Sequence, residues 1–142
     1  MRMTTVLVSS LLAVLAGCGR NDLATVTFEY PAASRRAELT LEPSKKERVV
    51  SAFTSVSKDL GYSCRPHRKR LDEIGCSGPK KLNIKFQPDL NEPRYIATLN
   101  WVEVGDRSRP EFDRHVAEFV QSMRLALDDP AVAISVSHER VE

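Results

Sequence analysis

The chain is 142 residues long, 42% hydrophobic and 28% charged, with a formal net charge of +2. That balance is ordinary for a globular domain and supplies enough apolar surface for one core without metals or many crosslinks. It is not the strongly basic composition of a nucleic-acid binder.

The leading segment begins with Arg2, continues as an apolar run from about Val6, and closes on Leu15-Ala16-Gly17-Cys18. A short cationic start, a brief apolar stretch and small residues before a cut describe a secretory signal. The stretch falls short of the roughly 20 apolar residues needed to cross a bilayer. Leu-Ala-Gly-Cys resembles the lipobox of bacterial lipoproteins. The resemblance implies cleavage after Gly17, diacylation of the Cys18 thiol and, usually, acylation of the new amino terminus. Gly19 stands where aspartate would retain such a protein at the inner membrane, which implies the outer membrane and its periplasmic face. Several acyl chains hold permanently what one holds only marginally. On this reading residues 1–17 are the signal peptide, 18–23 a lipidated tether and 24–142 a single domain. Extended, the tether reaches only about 14 Å, so the domain sits near the headgroups.

Ala24, Val26, Phe28 and Tyr30 alternate with Thr25, Thr27 and Glu29, the period of a half-buried strand. Pro31–Ser34 reads as a turn. Ala37, Leu39 and Leu41 then alternate with Glu38, Thr40 and Glu42 as a second strand, hairpinned to the first. Pro43-Ser44 opens a helix in which Ser44 and Glu47 have capping-box spacing. Val49, Phe53, Val56 and Leu60 form its apolar stripe, and Gly61 suits a left-handed cap.

Tyr62–His67 and Leu71–Cys76 read as a short hairpin with Arg68-Lys69-Arg70 at its tip, and Gly75, Gly78 and Pro79 as its exit. Leu82, Ile84 and Phe86 alternate with Lys81, Asn83 and Lys85 in a further strand. Pro88–Pro93 is a turn. Tyr95–Val104 is the longest strand pattern, apolar on both faces, as suits a central strand. Tyr95, Ala97, Leu99 and Trp101 share one face, which is core beneath the helices or an aromatic stripe opposite them; Ala97 and Leu99 favour core. Gly105-Asp106-Arg107 turns the chain, and Ser108 and Glu111 repeat the capping-box spacing. Phe112, Val116, Phe119, Val120, Met123 and Leu127 form a second helical stripe, ended by Asp128-Asp129-Pro130. Val132, Ile134 and Val136 give a last strand before a polar tail. Two amphipathic helices need one sheet surface to cover. The expected fold is α+β: a two-layer sandwich, mainly antiparallel, with two helices on one face.

After export, Cys64 and Cys76 pair most simply as a disulfide. It closes a loop of about 13 residues, worth roughly 3 kcal/mol on the chain-entropy model. Cys64, His67 and Cys76 would supply three ligands where structural zinc takes four, so no metal or other cofactor is expected. The loop holds Arg65, Pro66, His67, Arg68, Lys69 and Arg70, four fixed positive charges and a histidine. Arg65, His67, Arg68, Lys69 and Arg70 are the candidate binding residues, partly offset by Asp72 and Glu73. They form either a solvated tip or a contact surface for something anionic. The anion could be an acidic protein patch or a leaflet, where each Lys or Arg gains about 1 kcal/mol.

Nothing in the pattern supplies a reaction. His67, His115 and His138 have no accompanying nucleophile and orienting carboxylate. Ser51, Ser55 and Ser57 lie in no Gly-x-Ser-x-Gly elbow and read as polar helix-face residues. Glu29, Glu38, Glu42 and Glu103 fall on the polar sides of their strands. No catalytic residue is expected. The composite expectation is a membrane-anchored, non-enzymatic module that binds another envelope protein, as an assembly or secretion accessory or as an inhibitor or immunity protein. Direct binding of anionic lipid or envelope polymer by the basic loop is the second reading, and a small periplasmic enzyme the third.

Overall fold

The computed structural model describes residues 21–31, 43–101 and 109–141. The signal segment, Cys18, the strand expected at 37–41 and the turn and cap expected at 105–108 lie outside them. In chain order the elements are β1 (Asn21–Glu29), α1 (Pro43–Asp59), β2 (Ser63–Pro66), β3 (Ile74–Ser77), a 3-10 turn (Pro79–Lys81), β4 (Leu82–Pro88), β5 (Arg94–Trp101), α2 (Arg109–Leu127) and β6 (Ala133–Val141). The strands form one antiparallel sheet in the order β2-β3-β4-β5-β1-β6, and the two helices pack on each other over one of its faces. This is the α+β sandwich that the two apolar stripes require.

Alternation decides which side chains meet the helices. Val26 and Phe28 of β1, Ile84 and Phe86 of β4, and Tyr95, Ala97, Leu99 and Trp101 of β5 are all buried beneath them. The aromatic face of the long strand is therefore core. Its rings interlock with the helices. Phe53 of α1 stacks on Phe86 and Phe86 on Tyr95, while Phe119 of α2 meets Phe28 and Phe53 edge-on. Such arrangements suit the ring quadrupole and add about 0.5–1.5 kcal/mol per pair beyond burial.

Three expectations are corrected by the sheet. First, β1 has no edge for a hairpin partner, because β5 occupies one side over Leu23–Glu29 and β6 the other over Asn21–Glu29. Strands far along the chain outcompete the neighbouring segment for it. Second, the strand starts at Asn21 and not at Ala24. Asn21 and Asp22 pair with Val141 and Arg140, so residues 21–23, read as the end of a tether, belong to the strand. Third, the polar tail is the second half of β6, where an edge strand can place polar side chains in water.

The first helix begins two residues before the Lys45 start that a Ser44 cap would set. Pro43 is its first residue, a position that wants no N–H and a fixed φ, so Ser44 lies inside the helix and is not its cap. The far end is as expected. Gly61 has φ +86°, its N–H donates to the Lys58 carbonyl at 3.0 Å, and the Tyr62 N–H donates to Ser57 at 2.8 Å. That bond pair is the Schellman closure of a helix. Ser51 and Ser55 are exposed, but Ser57 is fully buried and does not belong to the polar helix face.

Candidate functional site

The basic segment sits on the hairpin of β2 and β3. Cys64 and Cys76 stand directly opposite each other in register and are disulfide-bonded, which commits both thiols to the crosslink. Cys76 is buried under the helices, so by alternation its neighbours Arg65 and Gly75 face the opposite, open side of the sheet.

Between the strands the chain makes two successive turns. The Arg70 N–H donates to the His67 carbonyl at 3.3 Å and the Glu73 N–H to the Arg70 carbonyl at 3.0 Å. The His67 N–H closes the base of the loop on the Glu73 carbonyl at 2.7 Å, and the His67 ring Nδ1 accepts from the Lys69 N–H at 3.3 Å. Arg70 is drawn back by its neighbour, its Nε lying 3.3 Å from the Glu73 carboxylate. Leu71 is 73% exposed at the same tip.

The open face reads as cross-strand rows, since residues opposite one another in an antiparallel ladder share a side. One row runs Arg65, Gly75, Lys85, Thr98, Thr25; the next runs Ser63, Ser77, Asn83, Asn100, Leu23. Where the hairpin meets this face lies a concavity of about 830 Å3. Arg65, His67, Arg68 and Lys69 line it from the hairpin, Asn83 and Lys85 from β4, and Asn100 from β5, with Gly75 among the lining residues. Glu73 is its one carboxylate among the described residues, and Glu73 is the group paired with Arg70. Cations and neutral amides surround an open volume, which is the donor set for an anion.

Four of the five expected binding residues are thus brought together, and Arg70 is turned to an internal pair. Lys85, Asn83, Asn100 and Gly75 were not expected in the site. The period-two pattern puts Lys85 and Asn83 on a polar face, but nothing in it says that β3 lies beside β4. Gly75, read as part of the hairpin exit, is instead an in-register residue of β3.

The other histidines lie elsewhere. His115 of α2 presents an edge to Trp101 with ring centroids 6.0 Å apart, and its Nε2 is 3.8 Å from Glu111. His138 of β6 has its Nδ1 3.5 Å from Asp113. A second groove, between the helices and lined by Ser44, Glu47, Arg48 and Leu127, is bordered by the Arg48–Asp129 pair at 3.7 Å. Among the described residues no group of three or more His, Cys, Asp or Glu is placed to hold a metal. No protein-family model matches the chain, and no curated protein matches it.

Proposed function

We propose that the chain is a lipid-anchored envelope protein that binds an acidic protein partner through its stapled hairpin and the adjoining open sheet face. The observation that carries the reading is the convergence of Arg65, Arg68 and Lys69 with Lys85 on one concavity where Glu73, the one carboxylate among the described lining residues, is paired with Arg70. Charges arranged this way raise association rate and select partners more than they raise affinity. The crosslink holds them in one geometry before any encounter, which reduces the ordering cost of binding.

Position along the sheet favours a protein over the anchoring leaflet. Cys18 precedes β1 by three residues, so the lipid belongs to the end of the sheet where Asn21 lies. In register, Pro66 and Ile74 stand level with Val26, and the tip lies beyond them toward Glu29. Val26 lies five residue steps beyond Asn21, about 17 Å of strand. The basic tip therefore points away from the anchored end, toward partners in the aqueous space.

The test is capture from crosslinked cell envelopes with the full chain and with an Arg68→Glu/Lys69→Glu form. One acidic protein retained by the first and lost by the second is the expected result. A soluble hydrolase as that protein makes the module an inhibitor, and a membrane complex makes it an assembly accessory. Equal capture by both forms overturns the reading. Anionic liposomes that bind the wild type and not the variant would transfer the site to lipid. Labelled palmitate incorporated by the wild type and absent from Cys18→Ser tests the anchor.

A further inference from the structure

We infer that Gly75 is the seat of a carboxylate from an extended acidic peptide segment, held between Arg65 and Lys85; the inference rests on the binding role just proposed. Glycine weakens a strand interior, since it loses the most chain freedom and packs nothing. A fold keeps one there for a reason, and the other described glycines show theirs. Gly61 adopts a left-handed φ of +86°, and a Cβ at Gly78 would run into the Tyr62 ring.

Gly75 has neither reason. A Cβ there would meet nothing within 4 Å, and its φ lies outside the region that side chains avoid. Nor does it mark a bulge, because Arg65, Gly75 and Lys85 are paired one to one across three strands. A bare backbone in a sheet also permits close approach by a ligand or by another chain's backbone, and an extended peptide brings both.

What surrounds the gap names the ligand. Arg65 and Lys85 flank it on the same face, two interstrand spacings or about 10 Å apart. Both side chains are long enough to reach a group placed over Gly75, and guanidinium and ammonium both favour carboxylate. Arg68 and Lys69 at the tip and the amides of Asn83 and Asn100 extend the same lining in two directions. An elongated segment with successive carboxylates matches that spread, with one of them seated and the others paired outside.

The test uses a hexaglutamate peptide as probe, with Gly75→Ala and Gly75→Thr in the otherwise unaltered mature chain. Both substitutions fit the open space, and threonine suits a strand better than glycine, so each variant should unfold at the same or higher denaturant concentration as wild type. Peptide affinity should fall at least about tenfold in Gly75→Thr and less in Gly75→Ala. In wild type, the Gly75 and Lys85 amide resonances should shift on titration. Undiminished affinity in Gly75→Thr, alongside loss in Arg68→Glu/Lys69→Glu, overturns the seat and leaves the basic site standing. Failure of the peptide to bind wild type, with anionic vesicles binding instead, overturns both.

Discussion

Phe53 and Phe86 stack with ring centroids 4.1 Å apart and planes 7° from parallel, directly behind the open face that carries Lys85. Phe86 and Lys85 are consecutive, one directed into the helices and the other away. The core stack thereby sets the position of a candidate binding cation. Phe86→Ala should cost about 3–5 kcal/mol, as large-to-small changes at fully buried aromatic sites do. Urea unfolding followed by circular dichroism checks this, and a loss under about 1 kcal/mol would mean that the stack is not a principal core contact.

The disulfide lies on the same buried side of the sheet, on the neighbouring hairpin of β2 and β3. Replacing Cys64 and Cys76 together by alanine should lower stability by roughly 3 kcal/mol on the loop-entropy model. Amide exchange should quicken first at His67, Arg70 and Glu73, whose N–H groups close the tip turns or lie within them. Unchanged protection there would show that the turns hold without the crosslink.

Alkali should unfold the domain through two tyrosines. Burial raises the Tyr62 phenol to about 12, with Glu118 adding to it, and burial raises Tyr95 to about 12, with a smaller push from Asp72. Both groups keep their protons more tightly in the folded chain than in the unfolded one. Their stabilising contribution is complete below the ordinary tyrosine value near 10 and declines as pH rises from there toward 12. Tyrosinate absorbance and loss of secondary structure should therefore appear together in that window. Ionisation of both tyrosines in a chain that remains folded would contradict this.

At acid pH the weak point is the turn between β4 and β5. Asp89 accepts from the Asn91 N–H at 2.9 Å and from Arg94 Nε at 2.7 Å, and these bonds hold its carboxyl below the usual range. A depressed carboxylate stabilises above its unfolded value and ceases to do so as pH falls through its folded one. Asp89→Ala should flatten the acid limb of the stability curve and speed exchange at Asn91. An acid limb identical to wild type would remove Asp89 from the account.

Gly61→Ala should destabilise by about 1 kcal/mol, because a side chain is strained at φ +86°. The loss should appear in denaturant midpoint without altered peptide binding. A neutral result would show that the cap relaxes.

Local chemistry was the legible part of this chain. Val49, Phe53 and Val56 declare a helix face, Gly61 its end, and the alternation at Leu82–Phe86 a strand, each through contacts only a few residues apart. The pairing of Cys64 with Cys76 follows equally from a short loop. Partner choice within the sheet was not legible. The side chains of β1 specify which face is buried, but equally apolar strands compete for its edges, and the winners lie some 70 and 110 residues away in register with it. For the same reason Lys85 and Gly75 could not be joined to Arg65 in advance. Their proximity exists only once β3 lies between β2 and β4.

The placement of β1 also governs when the domain can become stable. Both of its neighbours are late segments, Arg94–Trp101 and Ala133–Val141, so the first of the described strands waits for the last of them. Meanwhile β2 to β5 can zip together in sequence, each strand beside the one before it. Non-local pairing of that kind is slow, because the intervening loop must be closed before any contact rewards it. Until then the apolar face of β1, with Val26 and Phe28, has no sheet neighbour on either side to fix its register.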